Sequence, residues 1–468
     1  MVMGNFLKAF LSFGLATSIE KILGFILLPI YTRYFSTEVY GVIDMMSTGL
    51  AIGIVFSLLQ LETSLQRYYY QYSRVKRSMM VTNIYGTILL FSILIGSLIF
   101  LFSKHLSVYL FATGEYANLF LFVGIQLPLA NLSMLGLILL RFEGRNKDFL
   151  KVILLKVVLN LVFAYLFVVL GEDKLGGVFY AQILSLAFST LLVTFYVKSN
   201  FVVRFSPLLQ IKAFKYALPQ LPARLGSMML AQANRFFMLG YLSLSTIGLY
   251  SVSLKLASSV QIINSAFIMA WTPFMHKQFQ NKNNKVVFKH VLPLLSAIVF
   301  LGVSLIALYS REIVLLVTSE PFYGSYRYVG GLALFFAFYI IKEVVDIGPK
   351  ITEKTIYLSY VFFVSVVVNL TTLYFFTESF DLMGVVASMI ITNFVLVVGA
   401  WFVSNILYPI DFSWKRFLLL LIPCMAIVFF ILLDGGGLVL RSVISIGVLL
   451  YYGLFFKEDY YKVKKVLS

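Results

Sequence analysis

Histidine, cysteine and acidic side chains are scarce in this chain: three, one and 20 among 468 residues. Each shortage removes a class of chemistry. The single cysteine, Cys424, cannot form an intrachain disulfide and so says nothing of redox compartment. His105, His276 and His290 stand far apart, without metal-ligand spacing, so no metal site is expected. No glycine loop of the type that cradles nucleotide phosphates occurs, which excludes ATP hydrolysis by that route. Long polar stretches are missing as well, and charged residues make up only 12% of the chain. No soluble catalytic domain fits between the short links, so the chain is expected to be neither an enzyme nor a cofactor carrier.

Apolar sequence fills the space instead. Hydrophobic residues reach 60%, with 17% aromatic, more apolar surface than a soluble domain covers. A hydrocarbon core about 30 Å thick needs roughly 20 apolar residues of helix. Fourteen stretches qualify: 8–31, 40–63, 80–103, 116–140, 151–170, 176–197, 215–240, 246–270, 288–309, 327–346, 355–376, 382–404, 416–433 and 438–456. The expected fold is an all-α polytopic membrane protein with about fourteen transmembrane helices. The first stretch holds Glu20 and Lys21 and ends without a small-residue cleavage pattern, so it is read as a span and not a signal peptide.

Lysine and arginine outnumber aspartate and glutamate 37 to 20, a formal charge of +17. Such a balance suits nucleic acid when the cations gather on one soluble face; here they are spread over the links. With the N-terminus taken as cytoplasmic, links on that side hold twenty-six Lys and Arg, whereas the opposite links hold six: Arg33, Lys104, Lys174, Arg311, Arg327 and Arg441. The positive-inside bias therefore places both termini in the cytoplasm. Membrane lipids are expected partners of the basic links, and nucleic acid is not.

An internal echo recurs 207 residues on. Tyr34-Phe35-Ser36 followed by Gly41 returns as Tyr241-Leu242-Ser243 followed by Gly248, each time between an odd and an even stretch. Six crossings return the chain to its starting side, so a duplication gives two pseudo-symmetric six-helix bundles with a cavity between them. The expected lobes are 1–200 and 201–405, with 406–468 as two added helices and a basic tail.

Prolines and charges inside the stretches carry the functional signal. Pro219 and Pro222 both fall early in stretch seven, where each removes an intrahelical hydrogen bond and either exposes carbonyls to a wet cavity or kinks the helix. Glu62, Asp44 and Lys156 lie near stretch ends and are read as reaching the interface. Glu20, Lys21, Arg224, Arg235 and Lys255 lie deeper, and a charge at mid-bilayer usually faces a cavity or a partner. Arg224 and Arg235 are eleven residues apart, about 16 Å along one helical stripe. An ion-pair network and a cationic cavity both fit these positions. The excess of cations favours a cavity that receives an anionic headgroup at Arg224, Arg235, Lys255 and Lys21, phosphate being suited to arginine's paired donors.

Three motifs carry a family resemblance. Leu28-Pro29-Ile30-Tyr31-Thr32-Arg33-Tyr34-Phe35-Ser36 through Gly41, Ala217-Leu218-Pro219 with Asn234-Arg235-Phe236-Phe237 through Ser251, and Trp271-Thr272-Pro273-Phe274 resemble signatures of the polysaccharide transporters, the Wzx-type flippases. These belong to the MOP group with the MATE exporters and lipid II flippases. Members commonly carry aspartate where this chain has Asn234, which leaves Arg235 without that carboxylate. The resemblance implies translocation of undecaprenyl-diphosphate-linked oligosaccharide across the bacterial cytoplasmic membrane, for O antigen, capsule or exopolysaccharide. It also implies polymerase and glycosyltransferase partners of the same pathway. Glu20 is the candidate for ion coupling. A MATE-like drug exporter and a lipid II-type flippase are the alternatives.

Overall fold

The computed structural model describes residues 23–279, 284–354 and 356–467, and every regular element among them is helical. Two compact packing units divide at Leu239 and Gly240. The first holds α1 (23–34), α2 (Thr37–Leu58), α3 (Leu61–Tyr68), α4 (Arg74–Leu101), α5 (Ser103–Phe111), α6 (Ala117–Phe142), α7 (Asn146–Ala164), α8 (Lys174–Val197), α9 (Pro207–Ala217) and nearly all of α10 (Leu221–Tyr241). The second holds α11 (Leu244–Ala257), α12 (Val260–Gln278), α13 (Asn284–Leu308), α14 (Ser310–Val317), α15 (Tyr326–Val345), α16 (Ile347–Ile351), α17 (Ile356–Leu407), α18 (Trp414–Leu432) and α19 (Leu438–Leu467). Packing thus divides the chain later than the repeat-based lobes of 1–200 and 201–405, because α9 is bound to the first unit. There Ser64 Oγ donates to the Ala213 carbonyl at 2.7 Å, and Asn83 Nδ2 to that of Ser206 at 2.7 Å.

Among the described residues ten helices are long and apolar enough to cross a membrane. One of them, the 52-residue α17, leaves helical geometry at Phe380 and Asp381 and so supplies two crossings. Eleven of the fourteen expected crossings thus lie on such spans; stretch one lies mostly outside the described residues, and α10 and the α11–α12 pair occupy stretches seven and eight. Burial sorts them by role. The apolar windows of α4 and α19 are only 28% and 22% buried, against 67% for α13. The first two therefore turn leucine and phenylalanine toward lipid, while α13 forms the centre of the second unit, packed by α15, α18 and α19. The added C-terminal pair is integral to that unit: Arg441 on α19 forms a two-pronged ion pair with Glu312 at 2.6 and 2.9 Å, and Trp401 stacks on Trp414 at 3.8 Å.

Within lipid, helices associate through small residues and interhelical hydrogen bonds rather than through apolar burial. In the first unit Asn131 Nδ2 donates to Ser57 Oγ at 2.6 Å and Ser92 Oγ at 2.8 Å, tying α2, α4 and α6. α4 crosses α6 at Gly96 and Gly124, where a Cβ on either would meet the other's carbonyl oxygen at 2.7–2.8 Å.

The duplication is visible in matched devices. Ser36 accepts from the Val39 amide at the start of α2, and Ser243 from the Thr246 amide at the start of α11; such caps contribute about 1 kcal/mol each. Asn160 donates to Ser185 across α7 and α8, as Asn369 donates to Thr392 across the two arms of α17. Gly177 sits against the Phe167 carbonyl, and Gly384 against that of Phe376.

Two stretches are less continuous than their apolar sequence suggests. Leu59 and Gln60, both left-handed at φ 49 and 58, break stretch two between α2 and α3. Stretch eight breaks at Ser258 and Ser259 between α11 and α12. Stretch seven is also shorter than expected, because 207–217 form the separate α9.

Candidate functional site

α10 begins after a one-turn 3-10 segment, Leu218–Gln220. Pro219 lies in that turn and Pro222 in the first turn of α10. Ala217, Leu218 and Leu221 all keep right-handed helical geometry, with Leu218 N–H donating to the Phe214 carbonyl and Leu221 N–H to that of Leu218, so α9 runs through the 3-10 turn into α10 without a loop. Of the two readings of these prolines, an opened helix or a kink, the local change from α to 3-10 hydrogen bonding at the junction of α9 and α10 fits the kink.

The start of α10 places Arg224 only three residues, about 5 Å, into the helix. Its side chain is exposed, and among the described residues it forms no salt bridge. Its charge acts on Glu62, a buried carboxyl on α3 whose Oε2 has no hydrogen-bond partner among the described residues.

Arg235 stands in different surroundings. Its Nε donates to Asp44 Oδ2 at 2.6 Å, its Nη2 to Asp44 Oδ1 at 3.5 Å, and its Nη1 to Gln232 Oε1 at 3.0 Å. The two charged side chains are 13% and 18% exposed. Asp44 lies on α2 one turn after the buried Tyr40, on the same helical face. Asn234 beside Arg235 is buried, and its Oδ1 has no partner among the described residues. The carboxylate that position 234 does not offer thus comes from Asp44, 191 residues away in sequence. The position of Asp44 near a stretch end suggests an interfacial side chain; the structure makes it a direct partner of a candidate site residue.

Lys255 belongs to the second unit and sits in the last turn of α11. A cation there complements the carbonyl end of the helix, where the backbone dipole is negative. Its side chain is half-buried and has interactions of its own. Lys21 and Glu20 lie outside the described residues. The structure accordingly separates the candidates by chemistry: Arg235 is compensated by a carboxylate in its own unit, Arg224 is exposed at the end of the same helix, and Lys255 lies in the last turn of α11. Among the described residues no group of three or more His, Cys, Asp or Glu side chains is placed to hold a metal ion.

This fold has solved relatives. The lipid II flippase MurJ in an inward closed conformation is 17% identical over 96% of this chain and 99% of its own, with a TM-score of 0.70. A mutant of the Vibrio cholerae MATE transporter VcmN is 12% identical, over 86% and 96%, with a TM-score of 0.61. An inward-facing multidrug resistance MATE transporter of the MOP superfamily is 16% identical, over 82% and 94%, at 0.62. At such identities the likeness concerns the fold. No curated protein matches the chain. Residues 6–279 match the family described as polysaccharide biosynthesis protein. That match covers more than half of the sequence, so the chain belongs to the polysaccharide biosynthesis family, built on the helical fold of MOP-superfamily transporters.

Proposed function

We propose that the protein is a flippase that carries undecaprenyl-diphosphate-linked oligosaccharide units from the inner to the outer leaflet of the bacterial cytoplasmic membrane. The product serves O-antigen, capsule or exopolysaccharide synthesis, with a polymerase and glycosyltransferases of the same pathway as partners, and both termini are cytoplasmic. Family membership supports the polysaccharide assignment. The observation that carries the transport chemistry is the exposed Arg224 at one end of α10, free of any salt bridge among the described residues. A diphosphate matches a guanidinium's paired donors and fixed charge. Lys255 and Lys21 remain candidates for the same headgroup. Arg235, with its charge balanced by Asp44, is assigned to holding α10 on α2, and Glu20 to ion coupling. Alternating access moves the headgroup across while the polyprenyl tail stays in lipid.

Deletion tests the reading directly. Leaflet-resolved analysis of the lipid-linked intermediates should show them accumulating on the cytoplasmic side. Complementation with R224Q should insert normally yet restore little surface polysaccharide. Full export by R224Q, or normal polysaccharide in the deletion strain, contradicts the assignment.

A further inference from the structure

Between α2, α3, α6, α7 and α8 of the first unit lies a cleft of about 530 Å³, inside the range of roughly 300–1,000 Å³ that suits small ligands. Four carboxamides, Gln66, Gln126, Asn160 and Gln182, line it together with Arg141 and Lys156, and among the described residues no lining residue is acidic. Gln126 and Arg141 stand at the two ends of a run along α6 about 22 Å long. The cleft therefore reaches from the exposed Arg141 end of that helix well into its span.

Gln126 is 3% exposed, and its Nε2 has no acceptor among the described residues. A carboxamide donor buried at membrane depth without an acceptor is disfavoured, so its position suits an acceptor brought by a ligand. Asn160 is held by its bond to Ser185 Oγ at 3.0 Å, which fixes the carboxamide's orientation. Each carboxamide presents a donor and an acceptor on one planar fork, and vicinal sugar hydroxyls offer the complementary pair. Met134 and Ile153 give the same wall an apolar patch for the C–H face of a ring. The two cations add an attraction that a neutral sugar does not use.

We infer that this cleft binds one or two sugar residues and prefers a sugar that bears a carboxylate. Gln126 donates to an oxygen of the sugar, and Lys156 and Arg141 attract its carboxylate. That these sugars belong to the transported cargo rests on the function proposed above; the existence of the site does not.

Cysteine protection provides the test. Full-length protein carrying Cys424→Ala and Ser133→Cys, a residue of the cleft wall, is reconstituted in lipid vesicles and labelled with a small methanethiosulfonate. Labelling is timed with a glucuronic-acid-containing disaccharide, with its neutral glucose counterpart, and with neither. The acidic disaccharide should slow labelling about fivefold, as expected at four times its Kd, and the neutral one less than twofold. Lys156→Met should make the two equal. Saturation-transfer NMR on the unsubstituted protein reads binding independently of the introduced thiol, and its acidic-sugar signal should vanish in Gln126→Leu. Absence of both protection and transfer overturns the site, and equal protection by both sugars overturns the acidic preference. If the sugar protects while the deletion strain exports normally, the transport reading falls and the site stands; if cargo stalls without protection, the reverse holds.

Discussion

The Asp44–Arg235 pair yields a prediction with two independent readouts. D44N leaves a guanidinium, and R235Q a carboxylate, without its partner in a part of the structure where both side chains are less than a fifth exposed. Breaking a fully buried pair from one side costs about 3–5 kcal/mol, whereas replacing both partners is close to neutral. With the residual exposure taken into account, each single change should cost about 2–3 kcal/mol, close to a hundredfold in the folding equilibrium. The double change D44N/R235Q should recover most of that loss, costing no more than about 1 kcal/mol, a coupling of about 3–5 kcal/mol. Denaturant unfolding of purified protein in mixed micelles measures all four corners of the cycle. R224Q should lie within about 0.5 kcal/mol of the parent, because the side chain is exposed. Export should sort the variants the other way: the double D44N/R235Q should retain much of the parent's surface polysaccharide, and R224Q little. Strictly additive losses in the double variant would refute the pairing. Export by R224Q at the parental level, with D44N/R235Q inactive, would reverse the roles assigned to the two arginines.

Gly96→Ala should destabilise the first unit by about 2 kcal/mol, because the new methyl meets the Gly124 carbonyl and the helices must part; Gly86→Ala, with open space around it, is the control in the same unfolding assay. Asn131→Leu should cost about 1–2 kcal/mol by severing two interhelical bonds, and Ser57→Ala about half as much. Asp434, in the turn between α18 and α19, is held below its ordinary value of 3.8 by hydrogen bonds from Tyr326 and Arg327. Its folded-state value is depressed, so the anchoring of this turn is present above about pH 4 and is lost as pH falls through the folded value. Amide exchange at Gly435–Gly437 should be constant from pH 7 to 5 after correction for intrinsic rate, rise below about 4, and lose that step in D434N.

The crossings were legible because lipid demands long apolar runs, and nothing else in the sequence competes with that signal. Breaks within them were not. Leu59–Gln60 and Ser258–Ser259 interrupt stretches whose hydropathy continues, and a left-handed leucine leaves no compositional mark. α9 merged with α10 for the same reason: its apolar residues join those of the next helix, and Pro219 looks alike within a helix and at a junction of two. Charge was visible, but pairing was not. Asp44 and Arg235 are remote in sequence, and depth alone suggested that the aspartate belonged to the interface. The carboxamide cleft left still less trace. Gln66, Gln126, Asn160 and Gln182 are uncharged, fall on four different helices, and gain meaning only when those helices are set side by side.

The repeat itself offers a reason to separate scaffold from function. What the two halves share is uncharged: a capping serine, a glycine against a carbonyl, an asparagine bonded to a hydroxyl. The intramembrane charges do not repeat. At the offset set by Ser36 and Ser243, Asp44 is matched by Ser251, Arg235 by Leu28, Lys255 by Thr48 and Arg224 by Thr17. At the offset set by Asn160 and Asn369, Lys156 is matched by Ser365. A charge needed for packing the six-helix unit would be expected in both copies, since both solve the same packing problem. A charge confined to one copy answers a demand that the two halves do not share, either a contact made in that half alone or a cargo that is itself one-sided. The same contrast distinguishes Arg224 from Arg235: both are unique to one half, but only Arg235 brings a carboxylate with it, and a compensated pair fixes a helix where an exposed cation attracts an anion.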